Sequence, residues 1–231
     1  MTTKTMILSA AVLLTFNATA QDAKLGLLLN DGEELTYKVR WNFLRLGTVV
    51  VKTERHPTDS RRYIVSMNVF SNPDLPFVDI EEYNSCVITA DNVMTREYLG
   101  MWRNGSSRTE IHMSYDDSTR AITYAERDVN VGQTLKEVVL SNAEPFVNGP
   151  SLFFFTRYVA GSVGRLSVAT MVDGALGKTH LDFLPQREEL EVVAIPYPVR
   201  VQRYAGVAEW QGGSSAGVSG EFTGWISDDS A

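Results

Sequence analysis

Leu35-Thr36-Tyr37-Lys38-Val39-Arg40-Trp41-Asn42-Phe43 is the stretch that decides the fold class. Its odd positions are apolar and its even positions polar. Successive side chains of an extended chain point to opposite faces, so this unbroken period of two predicts a strand with one wet and one buried side. Arg45-Leu46-Gly47 reads as a turn into Thr48-Val49-Val50-Val51-Lys52-Thr53. Its β-branched residues are stiff at χ1 and suit a second strand, hairpinned to the first. His56-Pro57-Thr58-Asp59-Ser60 then breaks the chain.

The same rhythm runs outward. Residues 62–71, 77–89, 93–103, 107–115 and 120–126 read as strands, punctuated by Pro73-Asp74-Leu75-Pro76, Asn104-Gly105 and Asp116-Asp117-Ser118-Thr119. Further strands are expected over 165–172, 178–184, 188–194, 199–204, 207–211 and 219–227, with a loop at Ile195-Pro196-Tyr197-Pro198 and a flexible hairpin tract at Gly212-Gly213-Ser214-Ser215-Ala216-Gly217. The expectation is an all-β domain, an antiparallel meander that forms a bent, partly open β-barrel.

One segment departs from it. In Asn148-Gly149-Pro150-Ser151-Leu152-Phe153-Phe154-Phe155-Thr156-Arg157-Tyr158-Val159-Ala160-Gly161, Pro150 suits a first helical turn, where its missing N–H costs nothing, and Gly161 suits the position after the last turn. A short helix near 150–160 is expected, although so short an apolar run also reads as a buried strand. Leu152, Phe155 and Val159 share one helical face with Phe154 and Tyr158 beside them, so most of the circumference is apolar and asks for burial.

The first twenty residues have a different character. Lys4, the apolar run from Met6 to Leu14 and Ala18-Thr19-Ala20 form the three parts of a secretory signal peptide, with cleavage expected after Ala20. The run is too short to span a bilayer and no Cys stands at the cleavage point to accept a lipid. Residues 21–231 are then expected to form a single exported, periplasmic domain with no transmembrane segment. With 28 acidic against 21 basic residues and a pI near 5.0, the chain repels phosphate backbones and anionic headgroups, which argues against nucleic-acid or lipid-surface binding. The single Cys86 cannot form an internal disulfide and lies in the apolar Cys86-Val87-Ile88, the setting of a buried small hydrophobe.

Catalytic signals are thin. Gly213-Ser214-Ser215-Ala216-Gly217 matches G-x-S-x-G, which would make Ser215 a nucleophile, but an elbow needs a parallel α/β sheet and a later His, and no His follows His180. His56, His112 and His180 have no zinc-ligand spacing, and no glycine-rich phosphate loop occurs. No metal, cofactor or catalytic residue is assigned. What stands out is an aromatic load that includes Trp41, Phe43, Phe153, Phe154, Phe155, Tyr158, Trp210 and Trp225. A curved sheet closing on one helix can leave an apolar pocket, and Trp41, Phe43, Leu152, Phe155, Val159 and Trp225 are the residues picked to line it.

Gly32-Glu33-Glu34-Leu35-Thr36-Tyr37-Lys38-Val39-Arg40-Trp41 with Leu46-Gly47, and Trp225-Ile226-Ser227-Asp228-Asp229 near the end, resemble the family called domain of unknown function 3108, exported proteins of Gram-negative bacteria. The resemblance covers most of residues 21–231 and implies a barrel-like periplasmic domain, without implying an activity. Its architecture is similar to lipoprotein-carrier folds, in which a bent sheet wraps a helix and shelters an acyl chain. Members of that family continue past Ser-Asp-Asp into a final strand, whereas this sequence stops at Ala231, so an open sheet edge is expected. The leading functional expectation is a non-enzymatic binding protein for a lipid or another apolar or amphipathic envelope molecule. The alternatives are a protein-interaction or scaffold component of envelope assembly with an envelope protein as partner, and a serine hydrolase using Ser215.

Overall fold

Burial at the start of the strand Arg62–Ser71 carries the alternation that the sequence displays: Tyr63 and Val65 are buried, with Arg62 before them and Ile64 between them partly exposed. In the computed structural model, residues 28–41, 44–75, 79–192, 195–210 and 220–227 are described. The strands are β1 (Glu34–Trp41), β2 (Leu44–Arg55), β3 (Arg62–Ser71), β4 (Ile80–Thr89), β5 (Thr95–Asn104), β6 (Ser107–Asp116), β7 (Ala121–Asp128), β8 (Gln133–Leu140) and β9 (Phe146–Val147). After the helix α1 (Gly149–Val159) come β10 (Gly164–Val172), β11 (Ala175–Leu190), β12 (Val199–Glu209) and β13 (Gly220–Ser227).

Two sheets result. β1 to β8 form an eight-stranded antiparallel meander in chain order, and the second sheet runs β13-β12-β11-β10-β9. Among the described residues only the two-residue β9 pairs in parallel, Phe146 opposite Ala169 and Val147 opposite Thr170. Neither sheet closes on itself: β1 and β8 border the first, β13 and β9 the second. The fold is all-β, a partly open barrel with one short helix. No helix among the described residues is long and apolar enough to cross a membrane.

The inner faces meet in two clusters. In the first, Val51, Val65, Cys86 and Ile88 of the large sheet pack through Phe154 and Phe155 of α1 onto Val168, Leu181 and Phe183 of the small one. In the second, Ile111, Met113, Tyr115, Ile122 and Tyr124 meet Phe146, Ala169 and Met171. Each fully buried side chain of this kind contributes on the order of 1.5–3 kcal/mol by leaving water. α1 is therefore held by its apolar face and not by length, since eleven residues are marginal as an isolated helix.

Its start is fixed by a capping box: the Asn148 side chain accepts from the Ser151 N–H, and the Ser151 hydroxyl accepts from the Asn148 N–H at 2.8 Å. Pro150 sits in the first turn as expected. The far end is held by Gln202, only 1% exposed, which accepts from the Gly161 N–H at 2.8 Å and donates to the carbonyls of Ser162 and Leu184, both at 2.9 Å.

Several local expectations are corrected. Arg45-Leu46-Gly47 is not a turn but lies inside β2, opposite Arg40, Val39 and Ser71 in the ladders. The glycine is required there because a Cβ would stand 2.3 Å from the Phe70 carbonyl oxygen. Residues 178–184 and 188–194 are not two strands: β11 runs unbroken from Ala175 to Leu190 and carries Pro185 through an irregularity between Phe183 and Arg187, where no ladder donor is needed. β12 (Val199–Glu209) likewise runs unbroken through 199–204 and on from 207 to its end. In β1 the alternation is real, yet Tyr37 and Val39 remain 41% and 39% exposed, because an edge strand is covered on one side only. β8 and β9 were not anticipated. The expected signal segment, Phe43, Ser215 with its glycine tract, and Asp228-Asp229 lie outside the described residues.

A candidate ligand cavity between the sheets and the helix

The inward rows of β3, β4 and β5 are packed core at one end and cavity wall at the other. On β3 the row passes from Tyr63 and Val65 to Met67 and Val69, and on β4 from Ile88 and Cys86 to Asn84 and Glu82. Tyr98 and Trp102 of β5, Ile111 and Met113 of β6 and Tyr124 of β7 extend the wall. Pro150, Leu152, Phe153 and Thr156 of α1 form another side, and Thr170 to Asp173, Tyr204, Trp210 and Phe222 close it from the small sheet. The volume is about 320 Å³, within the range of small-molecule sites.

Aromatic packing shapes its small-sheet side. Tyr204 faces Gly224 and Phe222 faces Gly206 across the β12–β13 ladder, and the two rings meet edge to face at 6.3 Å. Phe183 stacks obliquely on Tyr204 at 5.2 Å. The reentrant corner at Asp173 comes from a two-residue hairpin, Asp173-Gly174, both with positive φ (48° and 73°), the geometry that matches the twist of the flanking strands.

Polar groups are few and specific. Asn84 accepts from the Tyr98 hydroxyl at 2.6 Å and donates to the Met67 carbonyl at 2.9 Å, so its amide is engaged once at its oxygen and once at its nitrogen. Burial, with Glu82 beside it, pushes the Tyr98 phenol well above its usual range. Glu82 stands 6% exposed on the same row. At the opposite rim burial, then the Glu126 charge, raises the Asp173 carboxyl above its ordinary value. The lining contains these two carboxyl groups and no Lys, Arg or His.

The buried Asn148 amide nitrogen and Trp102 indole nitrogen make no close hydrogen bond; the Asn148 side chain interacts with the Cys86 thiol and Trp102 with the Tyr98 hydroxyl. The Asn148 oxygen is committed to Ser151 at 3.0 Å and to Thr95 at 3.4 Å, which turns the nitrogen away from the cap.

Of the residues picked from sequence, Leu152 lines the cavity. Phe155 and Val159 belong to the first core cluster instead, and Trp225 stands 45% exposed on β13, its indole donating to Glu188 and Arg203 over its ring. Trp41 pairs with Leu44 at the end of the β1–β2 ladder, and Phe43 lies outside the described residues. Sequence reading missed Glu82 and Asn84, although a signal was present: the inward phase of Glu82-Tyr83-Asn84-Ser85-Cys86-Val87-Ile88 carries Glu and Asn where a core row would be apolar.

Other groupings are weaker sites. A groove of about 640 Å³ is lined chiefly by outward residues of β4 to β8, among them Ser85, Glu97, His112 and Glu137. On the small sheet, His180 links the Ser167 hydroxyl (2.6 Å from Nδ1) to the Glu209 carboxylate (3.0 Å from Nε2), but none of the three lines a cavity described above. Cys86 is a free thiol that burial pushes up to about 12, which keeps it protonated and inert. No group of His, Cys, Asp and Glu among the described residues could hold a metal ion. Comparison of the chain with protein-family models, curated proteins and solved structures finds no match.

Proposed function

We propose that the chain is a periplasmic, non-enzymatic binding protein that holds an apolar or amphipathic envelope molecule in the cavity beside α1. The observation that carries this reading is a concavity of about 320 Å³ walled by Met67, Val69, Ile111, Met113, Leu152 and Phe222 and provided with a small number of fixed polar groups. That composition is the general form of a small-molecule site. Export is supported by the signal-like segment ending at Ala20, and the setting by the resemblance to the exported family named above.

Ligand that binds only the folded chain raises its melting temperature by mass action. The test is thermal unfolding of the purified protein across a panel of lipids and lipid precursors, together with mass spectrometry of an organic extract. A dose-dependent rise in Tm with at least one apolar class, or a stoichiometric co-purified lipid, is the expected result. No shift across the panel and no extractable lipid would contradict it.

A second reading, an interaction or scaffold component, is favoured by β8. This border strand exposes Leu135 and Val139 at 52% and 62%, leaving both a ladder edge and apolar side chains for another chain. Pull-down from envelope fractions separates the two readings. A stoichiometric protein partner lost on Val139→Lys would support the scaffold.

A further inference from the structure

Resting on the binding reading above, the lining also limits the chemistry of the occupant. We infer that the cavity takes a cationic amphiphile: an apolar body carrying an ammonium or guanidinium head, with the head seated beside Glu82 and the aromatic side chains of Tyr98 and Trp102. Position, charge and aromatic content each point to it.

Glu82 sits where packing alone would ask for carbon. Its ladder partners on both sides, Val69 of β3 and Trp102 of β5, line the same cavity, so Glu82 shares their inward face. The residue is 6% exposed. A second space, of about 230 Å³, is bordered by Glu82 and Val69 together with Val39, Leu46, Leu75 and Ile80. Glu82 therefore borders two apolar volumes, a position from which it can hold a polar head whose apolar body fills either one. It interacts within the protein as well, and a carboxylate with about four lone-pair sites can accept from a further donor.

The sign of the charge is uniform. Glu82 and Asp173 are the ionised groups of the two linings, which contain no Lys, Arg or His among the described residues. After burial, both carboxyl groups help to raise the Tyr98 phenol, Glu82 more than Asp173, so their fields meet on one part of the wall. Lys136 donates to the Asp173 carbonyl from outside the lining, and it is offset there by Glu126, which accepts from the Tyr124 hydroxyl at 3.1 Å. A carboxylate or phosphate head entering this space meets like charge in a low dielectric, whereas a cation finds the partner that its own desolvation requires.

The rings add to the same preference. Tyr98, Trp102, Tyr204, Trp210 and Phe222 all stand in the lining. An aromatic face attracts a cation held within about 6 Å of the ring centroid, Trp most strongly. A neutral head gains neither this attraction nor that of the carboxylates, and an ester oxygen would meet Glu82 as one acceptor meets another. The apolar body is left to Met67, Met113 and Leu152, where the two methionines give an adaptable surface.

Decylammonium, decyltrimethylammonium, 1-decanol and decanoate, titrated into the full chain by calorimetry at pH 8, test this; about 0.15 M salt screens capture of the cations by the acidic surface. The two cations are expected to bind at least tenfold more tightly than decanoate and about fivefold or more tightly than decanol. Glu82→Gln removes one charge and keeps the shape, and Asp173→Asn does the same with a residue that tolerates the positive φ of that position. In protein whose circular dichroism is unchanged, Glu82→Gln is expected to weaken decyltrimethylammonium about tenfold and Asp173→Asn about threefold, with decanol moved less than twofold by either. Asp173→Asn alone decides the matter if Glu82→Gln fails to fold. Decanol or decanoate binding as tightly as the cations, or cation affinity unchanged in every folded variant, would overturn the cationic-head assignment and leave the binding function standing. Failure of all four probes to bind would remove the binding reading itself.

Discussion

The ring of Phe222 lies directly across the β12–β13 ladder on Gly206, so close that a Cβ added to the glycine would stand 2.1 Å from the ring edge. Two residues further along, the relationship is repeated with the strands exchanged: Tyr204 covers Gly224, where a Cβ would meet the ring at 2.2 Å. Aromatic side chains laid over cross-strand glycines pin the register and hold the two rings against the cavity. Without the glycines the rings would be pushed into the space that the ligand is proposed to occupy.

Gly206→Ala is accordingly expected to destabilise the fold by about 1–3 kcal/mol, the usual cost of overpacking. Combining it with Phe222→Ala should cost less than the sum of the two single changes, because the clash is gone in the double variant. Urea denaturation of the four proteins reads this directly, and strict additivity would show that the ring moves away freely.

Gln202 reaches a region where three backbone groups converge: the Gly161 N–H and the carbonyls of Ser162 and Leu184. In Gln202→Met the volume is kept and all three partners lose their bond, each loss costing about 1–3 kcal/mol if water does not enter. A fall in stability of about 3 kcal/mol or more is expected, larger than for any exposed substitution on β12. Equilibrium unfolding in guanidinium chloride measures it.

Ser151 joins the capping box to β5, since its hydroxyl lies 2.7 Å from Thr95 Oγ1 with neither residue exposed. Ser151→Ala removes the reciprocal cap and leaves Thr95 short of a partner, for an expected loss of about 1–3 kcal/mol. Hydrogen exchange should show the first turn of α1 opening more often in the variant while β3 and β4 stay protected.

Cys86 makes a pH prediction. The unfolded thiol titrates near its ordinary value of 9.0, and burial raises the folded one to about 12. Between those values the folded chain retains a proton that the unfolded chain has lost, so stability is full below about pH 9 and falls as pH rises toward 12. Tyr98, raised in the same direction, adds to the slope. Cys86→Ala is expected to flatten the alkaline limb, and a thiol reagent should label the wild-type protein at the unfolding rate only. Rapid labelling of the native state at pH 8 would contradict the buried position.

Much of this architecture was legible in the sequence because its signals are local. β3 has the bounds 62–71 that alternation and the flanking turn residues indicate, and Asn148, Pro150 and Ser151 mark the start of α1 by their own hydrogen-bonding chemistry. What was not legible depends on partners distant in the chain. Pro185 looks like a terminator until β12 is seen to pair on both sides of the irregularity that accommodates it. Gly47 looks like a turn until the Phe70 carbonyl is placed beside it. Asp173-Gly174, by contrast, carries the signal of a tight hairpin in its own two residues.

For the site the balance is different. The helix was identified, and Leu152 with it, but an apolar helix presents some residues to a cavity and others to a core, and the phase is set by the two sheets around it. Hence Leu152 and Phe153 face the space while Phe155 and Val159 are packed. The large-sheet wall, from Met67 to Tyr124, is assembled from five strands whose inward phase becomes known only once register is fixed.

If the space beside α1 takes up an apolar molecule, filling that space with a side chain must weaken the uptake. Met113 lies on the wall, and Met113→Trp adds a bulky ring there. The account predicts that the neutral dye N-phenyl-1-naphthylamine binds the wild-type protein saturably at one site, with a rise in fluorescence, and that Met113→Trp weakens binding at least tenfold while remaining folded. Equal dye binding by both proteins, or no saturable binding by the wild type, would contradict it.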